Sequence, residues 1–268
     1  MFRRKNYRID VLRLKNHTGD SKVFQVETIL ESKRLEDTKL FLLKNIDKII
    51  ENNWGKFSKD FISKHVVKAN RLKIVRSNNE VVAIASASLK KILNKDVLYL
   101  EFTVINENVQ GYNLTTILNG TFIYEEVLSR LSKLIFTPLN AVTITRNMRV
   151  IGAVSHFSSF IYPDPREFEM KGRLSNAGEL TWQIANEVLK ESWNPKRGLL
   201  REGNILIGSY EDAPWLILPK IQKHYNSSIL KMGEYYLRFK AKQDREFLVH
   251  AQFNFLSALK FFIWKKLK

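Results

Sequence analysis

The residues best placed to do chemistry lie between Val97 and Leu118, in the stretch VLYLEFTVINENVQGYNLTTIL. From Val97 to Ile105 the residues are mostly apolar, β-branched or aromatic, as a central strand requires. From Leu114 onward the apolar spacing changes to Leu114, Ile117, Leu118 and Phe122, the step of a helix packing one face. Gln110, Gly111, Tyr112 and Asn113 sit at the changeover. A strand that turns tightly into a helix leaves backbone N–H groups unpaired at the helix start, and such a space suits a phosphate. Asn113 suits the turn because asparagine tolerates left-handed backbone. Along the strand, alternation puts Glu101 on one face with Tyr99 and Thr103, so a carboxylate lies close by. The plainer reading is a strand–turn–helix without ligand.

Other chemistries find no residues to carry them. His17, His65, His156, His224 and His250 are too scattered for metal-ligand spacing, and the chain has no cysteine, so no metal is expected. There is no G-x-S-x-G elbow, no Walker A and no Rossmann glycine pattern. The formal charge is +17 and the pI about 9.9. Such a surface attracts a negative partner: nucleic acid, anionic lipid, an acidic carrier protein or a cofactor's phosphates. No helix-turn-helix, zinc-finger, RNP or GXXG signature accompanies the charge, so nucleic acid is not the expected partner. MFRRKNYRIDVLRLK is followed by no apolar run of signal-peptide length, and no stretch reaches membrane-span length, so a cytoplasmic location is expected.

The elements that must position the turn follow from pattern. Tyr7 to Leu14 and Val23 to Leu30 read as strands around His17-Thr18-Gly19-Asp20. Leu35 to Trp54 reads as a helix with Leu42, Leu43, Ile46, Ile49 and Ile50 on one stripe. A second helix starts at Ser58, with Phe61, Ile62 and Val66 inward. Arg71 to Arg76 and Val81 to Leu89 are strands around the hairpin signal Ser77-Asn78-Asn79-Glu80. After Val97 to Phe122 come a strand at Ala141 to Thr145 and a helix at Asn147 to Phe157. Tyr162 to Pro165 reads as irregular, Ser175 to Trp193 as a helix with Leu180, Ile184, Val188 and Leu189 inward, and Asn204 to Tyr210 as a strand. Trp215 to Tyr225 is a short apolar segment, and Glu234 to Lys240 a further strand.

The stretch at Gln110 resembles the acyl-CoA-binding segment of the GNAT superfamily of N-acetyltransferases, where a strand leads into a Q/R-x-x-G-x-G/A turn. In one register Gln110 comes first and Asn113 and Thr115 replace the two glycines. In another Asn108 comes first, Gly111 keeps the first glycine and Asn113 replaces the second. The first continues the apolar helix register and is preferred. The resemblance covers roughly residues 22–162. It implies an α/β fold, a GNAT-like mixed central sheet flanked by helices over residues 1–162. Residues 163–268 form an α+β C-terminal extension that completes the sheet or makes a small lobe.

The resemblance further implies transfer of an acyl group from an acyl thioester to an amine. Acyl-CoA, acetyl or longer, would be the co-substrate, with an acyl carrier protein as the other donor and a small-molecule or lipid-like amine as acceptor. It places the cofactor's pyrophosphate on Gln110, Gly111, Tyr112, Asn113, Leu114 and Thr115. Backbone N–H groups near Val104 to Asn106 would polarise the thioester carbonyl, and Asn147 would meet the pantetheine arm. Glu101 is the candidate base. The family's acidic tyrosine falls on Val154, which donates no proton, leaving His156, Ser155 and Tyr162 as substitutes. These departures keep open a degenerate fold that binds a ligand or partner without transfer.

The tail from Phe247 to Lys268 contains no Asp or Glu. On a helix, Phe255, Leu256, Leu259, Phe262 and Ile263 share a face and Asn254, Ser257, Lys260, Lys265 and Lys268 lie opposite. Phe253–Lys268 therefore reads either as an anionic-membrane contact at the inner membrane surface or as a last helix packed on the core.

Overall fold

The computed structural model describes residues 7–30, 49–50, 66, 69–134, 137–190, 198–208, 227–237, 245–257, 259–260 and 263. Among them ten strands follow the order β1-β2-β3-β4-β5-β6-β10-β9-β8, with β7 also pairing β10. The sheet is mixed and flanked by helices, the expected α/β architecture. The chain divides into two compact units, the second beginning at Lys90, the first resuming at Leu100 and ending again at Phe122.

In the first unit β1 (Tyr7–Lys15), β2 (Ser21–Leu30), β3 (Arg71–Ser77) and β4 (Glu80–Ile92) pair antiparallel in sequence order. The β1–β2 turn is built by Asn16, whose Oδ1 accepts from Thr18 N at 3.0 Å and Asp20 N at 2.8 Å. The β3–β4 turn uses Asn78 at φ 51° and Asn79 at φ 65°, the left-handed pair a two-residue hairpin requires. One face of these strands joins the latter half of β5 (Lys95–Ile105) in a core of Ile29, Leu72, Ile74, Ile84, Phe102 and Val104. Ile49, Ile50 and Val66, placed inward by their spacing, enter this core, while the rest of the helices expected at Leu35 to Trp54 and from Ser58 falls outside the described residues. Small Ala83, Ala85 and Ala87 stand opposite Val75, Lys73 and Arg71 on the other face. There Lys73 Nζ lies 4.9 Å from the ring centroid of Phe122 on α1 (Leu114–Ser129).

The second unit is built around β10 (Arg245–Phe253). Antiparallel β6 (Leu139–Thr145) pairs one edge, and β7 (Phe160–Tyr162) and β9 (Ile205–Ile207) share the other, with β8 (Gly198–Leu200) beyond. After α2 (Leu131–Leu134) come α3 (Met148–Phe157), α4 (Pro165–Lys171), α5 (Glu179–Lys190) and α6 (Ser227–Leu237). Helix α5 buries Ile184, Ala185 and Val188 against Val142, Leu206 and Leu248, and Leu180 and Leu189 pack at its margin.

Three elements differ from the sequence expectation. Glu234 to Leu237 is helical, because Ile229, Met232 and Tyr236 are buried at the three-and-four spacing of α6. Phe247 to Phe253 is a strand rather than part of the tail. Buried on both faces, it shows no alternation for the eye to catch. Pro165 opens α4 at a first-turn position, where proline loses no needed bond, and Asp164 Oδ1 caps it by accepting from Arg166 N at 2.9 Å. Trp215 to Tyr225 lies outside the described residues.

Candidate functional site

Just past the end of β5, Asn106 N donates to Val82 O of β4 at 2.8 Å. That amide is committed to the sheet. Because successive strand amides point to opposite edges, the Ile105 amide turns to the edge of β5 away from β4. The side chain of Val104 is buried in the first unit's core.

The chain then winds through a single 3-10 turn, Glu107–Val109. Asn106 Oδ1 accepts from Asn108 N at 3.3 Å, Val109 N reaches Asn106 O at 3.1 Å and Gln110 N reaches Glu107 O at 3.1 Å. The internal bonds stop there. The next is Ile117 N to Asn113 O at 3.0 Å, the first of α1. Among the described residues, none accepts from the six amides of Gly111, Tyr112, Asn113, Leu114, Thr115 and Thr116. The first turn of α1 carries no acidic residue, so its positive end is not neutralised by a carboxylate of its own.

Two left-handed residues shape this loop, Gly111 at φ 93° and Asn113 at φ 58°. Gly111 has a second reason to lack a side chain. A Cβ there would meet His17 Nδ1 at 3.1 Å and Cε1 at 3.2 Å, because the β1–β2 turn leans against it. The same hairpin fixes the residues on either side. Lys22 Nζ donates to Asn108 O at 3.2 Å and stands 5.6 Å from the centroid of the Tyr112 ring. The buried Tyr112 ring meets Phe24 edge-on at 5.4 Å. Leu114, Leu118 and Phe122 are buried along α1, which seats the helix, while Gln110 and Asn113 stay exposed and Thr115 is half-buried. The sequence marked the turn itself, and the support from the β1–β2 hairpin was missed.

The other candidates divide between the units. Half-buried Glu101 alternates with Thr103, whose Oγ1 donates to Asn119 Oδ1 of α1 at 3.1 Å, so Glu101 lies on the sheet face that α1 covers. In the second unit Asn147 precedes α3 and its N donates to Thr145 Oγ1 at 2.9 Å. His156 is exposed in the last turn of α3 with its ring edge-on to Phe157. Val154 is buried there, and Ser155 Oγ donates to Gly152 O at 2.9 Å. The Tyr162 hydroxyl donates to Ser175 O and accepts from Gly203 N at 2.7 Å, with Arg201 O at 3.3 Å. Burial pushes its ionisation well above the usual tyrosine range.

A further polar group in the second unit escaped sequence reasoning. His250, fully buried in β10, has Nδ1 2.9 Å from Thr181 Oγ1 and Nε2 3.0 Å from Asn140 Oδ1. Asn140 Oδ1 also accepts from Gln252 Nε2 at 3.2 Å, so the Asn140 oxygen calls for Nε2–H and leaves Nδ1 to accept from the threonine hydroxyl. Burial lowers the imidazole to about 4. The signal was present: a histidine, a threonine and an asparagine each inside an apolar run. Among the described residues no cluster of His, Asp or Glu could hold a metal, and no helix is long and apolar enough to cross a membrane.

No protein-family model and no curated protein matches the chain. Among solved structures it is similar to Arabidopsis thaliana Naa50 in complex with a bisubstrate analogue. Identity is 12% over 51% of this chain and 85% of that one, with a TM-score of 0.33. It is also similar to an aminoglycoside acetyltransferase from an uncultured soil metagenomic sample, in complex with trehalose. There identity is 14% over 38% of this chain and 70% of that one, with a TM-score of 0.27. A GCN5-related N-acetyltransferase from Kribbella flavida is similar at 11% identity over 86% of this chain and 64% of that one, with a TM-score of 0.35. In this chain β5, a tight turn, α1, the short α2, β6 and α3 follow one another in a mixed sheet flanked by helices, the α/β order expected from the sequence.

Proposed function

We propose that the chain is an N-acyltransferase that moves an acyl group from an acyl thioester to an amine. The observation that carries this reading is the run of amides from Gly111 to Thr116 without an internal acceptor, at the start of a long helix directly after β5. That run is suited to a pyrophosphate, which acyl-CoA carries at the right distance from its reactive end to be anchored away from the chemistry. The Ile105 amide, turned away from β4, is the donor for the thioester oxygen, since the Asn106 amide is already used by Val82. The amine nitrogen attacks the carbonyl carbon, the new C–N bond forms and the C–S bond breaks. The electron pair leaves on sulfur as a thiolate.

Such a leaving group asks little of an acid, because thiols ionise at about pH 8.5. A buried valine at position 154 is compatible with that economy. The nitrogen must still lose a proton, and Glu101, His156 and Tyr162 are the groups to test for it. Asn147 is assigned to the pantetheine arm. The basic surface favours a phosphorylated donor, acyl-CoA of acetyl length or longer, or an acidic acyl carrier protein.

The second reading, ligand binding without transfer, is favoured by Val154 and by the Tyr162 hydroxyl being bound to backbone groups. Titrating the protein with acetyl-CoA and a long-chain acyl-CoA, then following thiol release with a set of amines, separates the two. Binding with amine-dependent thiol release is expected. Binding without release under every amine and every donor supports the second reading, and no binding of either donor or of carrier protein removes both.

A further inference from the structure

The C-terminal segment leaves β10 at buried Phe253 and turns at once into helix, with residues 255–257, 259–260 and 263 helical. Its start is locked. Asn254 Oδ1 accepts from Ser257 N at 3.0 Å, and Ser257 Oγ accepts from Asn254 N at 3.3 Å, a reciprocal cap. Ser257 is buried, so the inward side of the helix start is known. Its outward side is apolar: Phe255 is 43%, Leu256 62%, Leu259 46% and Ile263 50% exposed. At about 100° per residue these four positions fall within an arc of about 100°. A helix packed only to complete a core would turn such residues in, and this one turns them out.

The charge carried by this segment's sequence has one sign. From Phe247 to Lys268 there is no Asp or Glu, while Lys260, Lys265, Lys266 and Lys268 are present. We propose that this stripe is a docking surface for an anionic lipid bilayer, on which Phe255, Leu256, Leu259 and Ile263 enter the acyl boundary and the lysines meet headgroup phosphates. Charge complementarity selects this occupant. A second copy of the chain would bring another +17 surface and a tail with no carboxylate to pair the lysines. A bilayer of acidic lipids offers both the apolar layer and the negative one. This surface is independent of the acyl-transfer reading and stands or falls without it.

The test uses the full chain with phosphatidylglycerol-containing vesicles and with pure phosphatidylcholine vesicles, by flotation. The variant Leu256→Ser/Leu259→Ser/Ile263→Ser keeps every charge of the protein. The wild type is expected on the acidic vesicles, and the variant is expected to lose partitioning by roughly tenfold or more. Replacing Lys260, Lys265, Lys266 and Lys268 with Gln is expected to bring binding on acidic vesicles down to the neutral-vesicle level. An apolar variant that binds as tightly as the wild type overturns the proposal, because the general basic surface then does the binding. So does a wild-type dimer in size-exclusion light scattering that the apolar variant dissolves while neither touches vesicles. Should the apolar variant fail to fold, tryptophan quenching by brominated acidic lipid decides instead, compared between wild type and Leu256→Trp, which puts a reporter on the stripe. Quenching gained in Leu256→Trp supports the surface, and equal quenching in both refutes it.

Discussion

Replacing Gly111 with alanine places a methyl group where the backbone stands at φ 93° and where His17 Nδ1 and Cε1 lie 3.1 and 3.2 Å away. The left-handed backbone alone costs an L residue roughly 1–2 kcal/mol. The ring of His17 must also give by a few tenths of an ångström, and pushing it off its rotamer adds about 0.5–1.5 kcal/mol. The sum, about 1.5–3.5 kcal/mol, can be met in two ways. The loop can hold its shape, and the whole cost appears as a lower melting temperature, about 2–4 °C for each kcal/mol. Or the loop can relax to negative φ, turning the amides at Gly111 to Asn113 away from a common target. Affinity for CoA then falls by roughly tenfold to a few hundredfold, tenfold for each 1.4 kcal/mol. Calorimetric titration with CoA and thermal melting, run on wild type, Gly111→Ala, His17→Ala and the double variant, separate the two. The double variant is expected to recover the rotamer share and to keep the backbone share. A Gly111→Ala protein that melts and binds CoA like the wild type refutes both the demand for glycine and the assignment of the loop.

Three further outcomes follow from the same structure. Thr115→Glu puts a carboxylate in the first turn of α1, so melting should rise by the equivalent of about 0.3–1 kcal/mol while CoA affinity falls; a change of both in the same direction counts against an anion site there. His250 is held near 4 in the folded chain and near 6.5 unfolded, so the unfolded state binds the extra proton between those values. Stability present above about pH 6.5 should therefore be lost as pH falls toward 4, by about 3 kcal/mol, in urea unfolding, and Thr181→Val or His250→Gln should change that slope. Tyr162→Phe removes the acceptor of Gly203 N–H and the donor to Ser175 O, which should cost about 1–3 kcal/mol. Turnover measured well below its melting temperature tells whether the hydroxyl also moves a proton, since a purely structural tyrosine leaves kcat intact there.

What could be read from sequence follows a physical line. The hairpin at His17–Asp20 was legible because turn residues separate two alternating strands, and the one at Asn78–Asn79 because its turn needs particular residue types. Val97 to Phe122 was legible because the apolar period changes within a few residues, and Asn113 does adopt the left-handed backbone. β10 was not, since a strand buried on both faces reads as a plain apolar run, continuous in sequence with the tail behind it. α6 was hidden by Tyr235 and Tyr236 after Gly233, a strand-like trio, although Ile229, Met232 and Tyr236 hold helical spacing. The contact of His17 with Gly111 and the pairing of Thr181 with His250 join residues far apart in the chain. No local pattern announces such contacts.

The departures from the family pattern weigh unequally once each is placed. A glycine serves a phosphate turn in two ways, by permitting positive φ and by letting backbone come close to the ligand. Asn113 meets the first need at φ 58°, so the turn loses nothing there. Thr115 bears on the second, because its half-buried side chain belongs to the first helical turn, beside amides left without an internal acceptor. Gly111 lies outside the two glycine positions of the preferred register, yet it stands at φ 93° and is crowded by His17, so it too has little room for a side chain. The loop is thus braced from the β1–β2 hairpin, through His17, Lys22 and Phe24, rather than by a run of glycines. A loop held from outside keeps its amides in place at less dependence on its own sequence, which is why a poor motif match and an intact strand–turn–helix occur in the same chain.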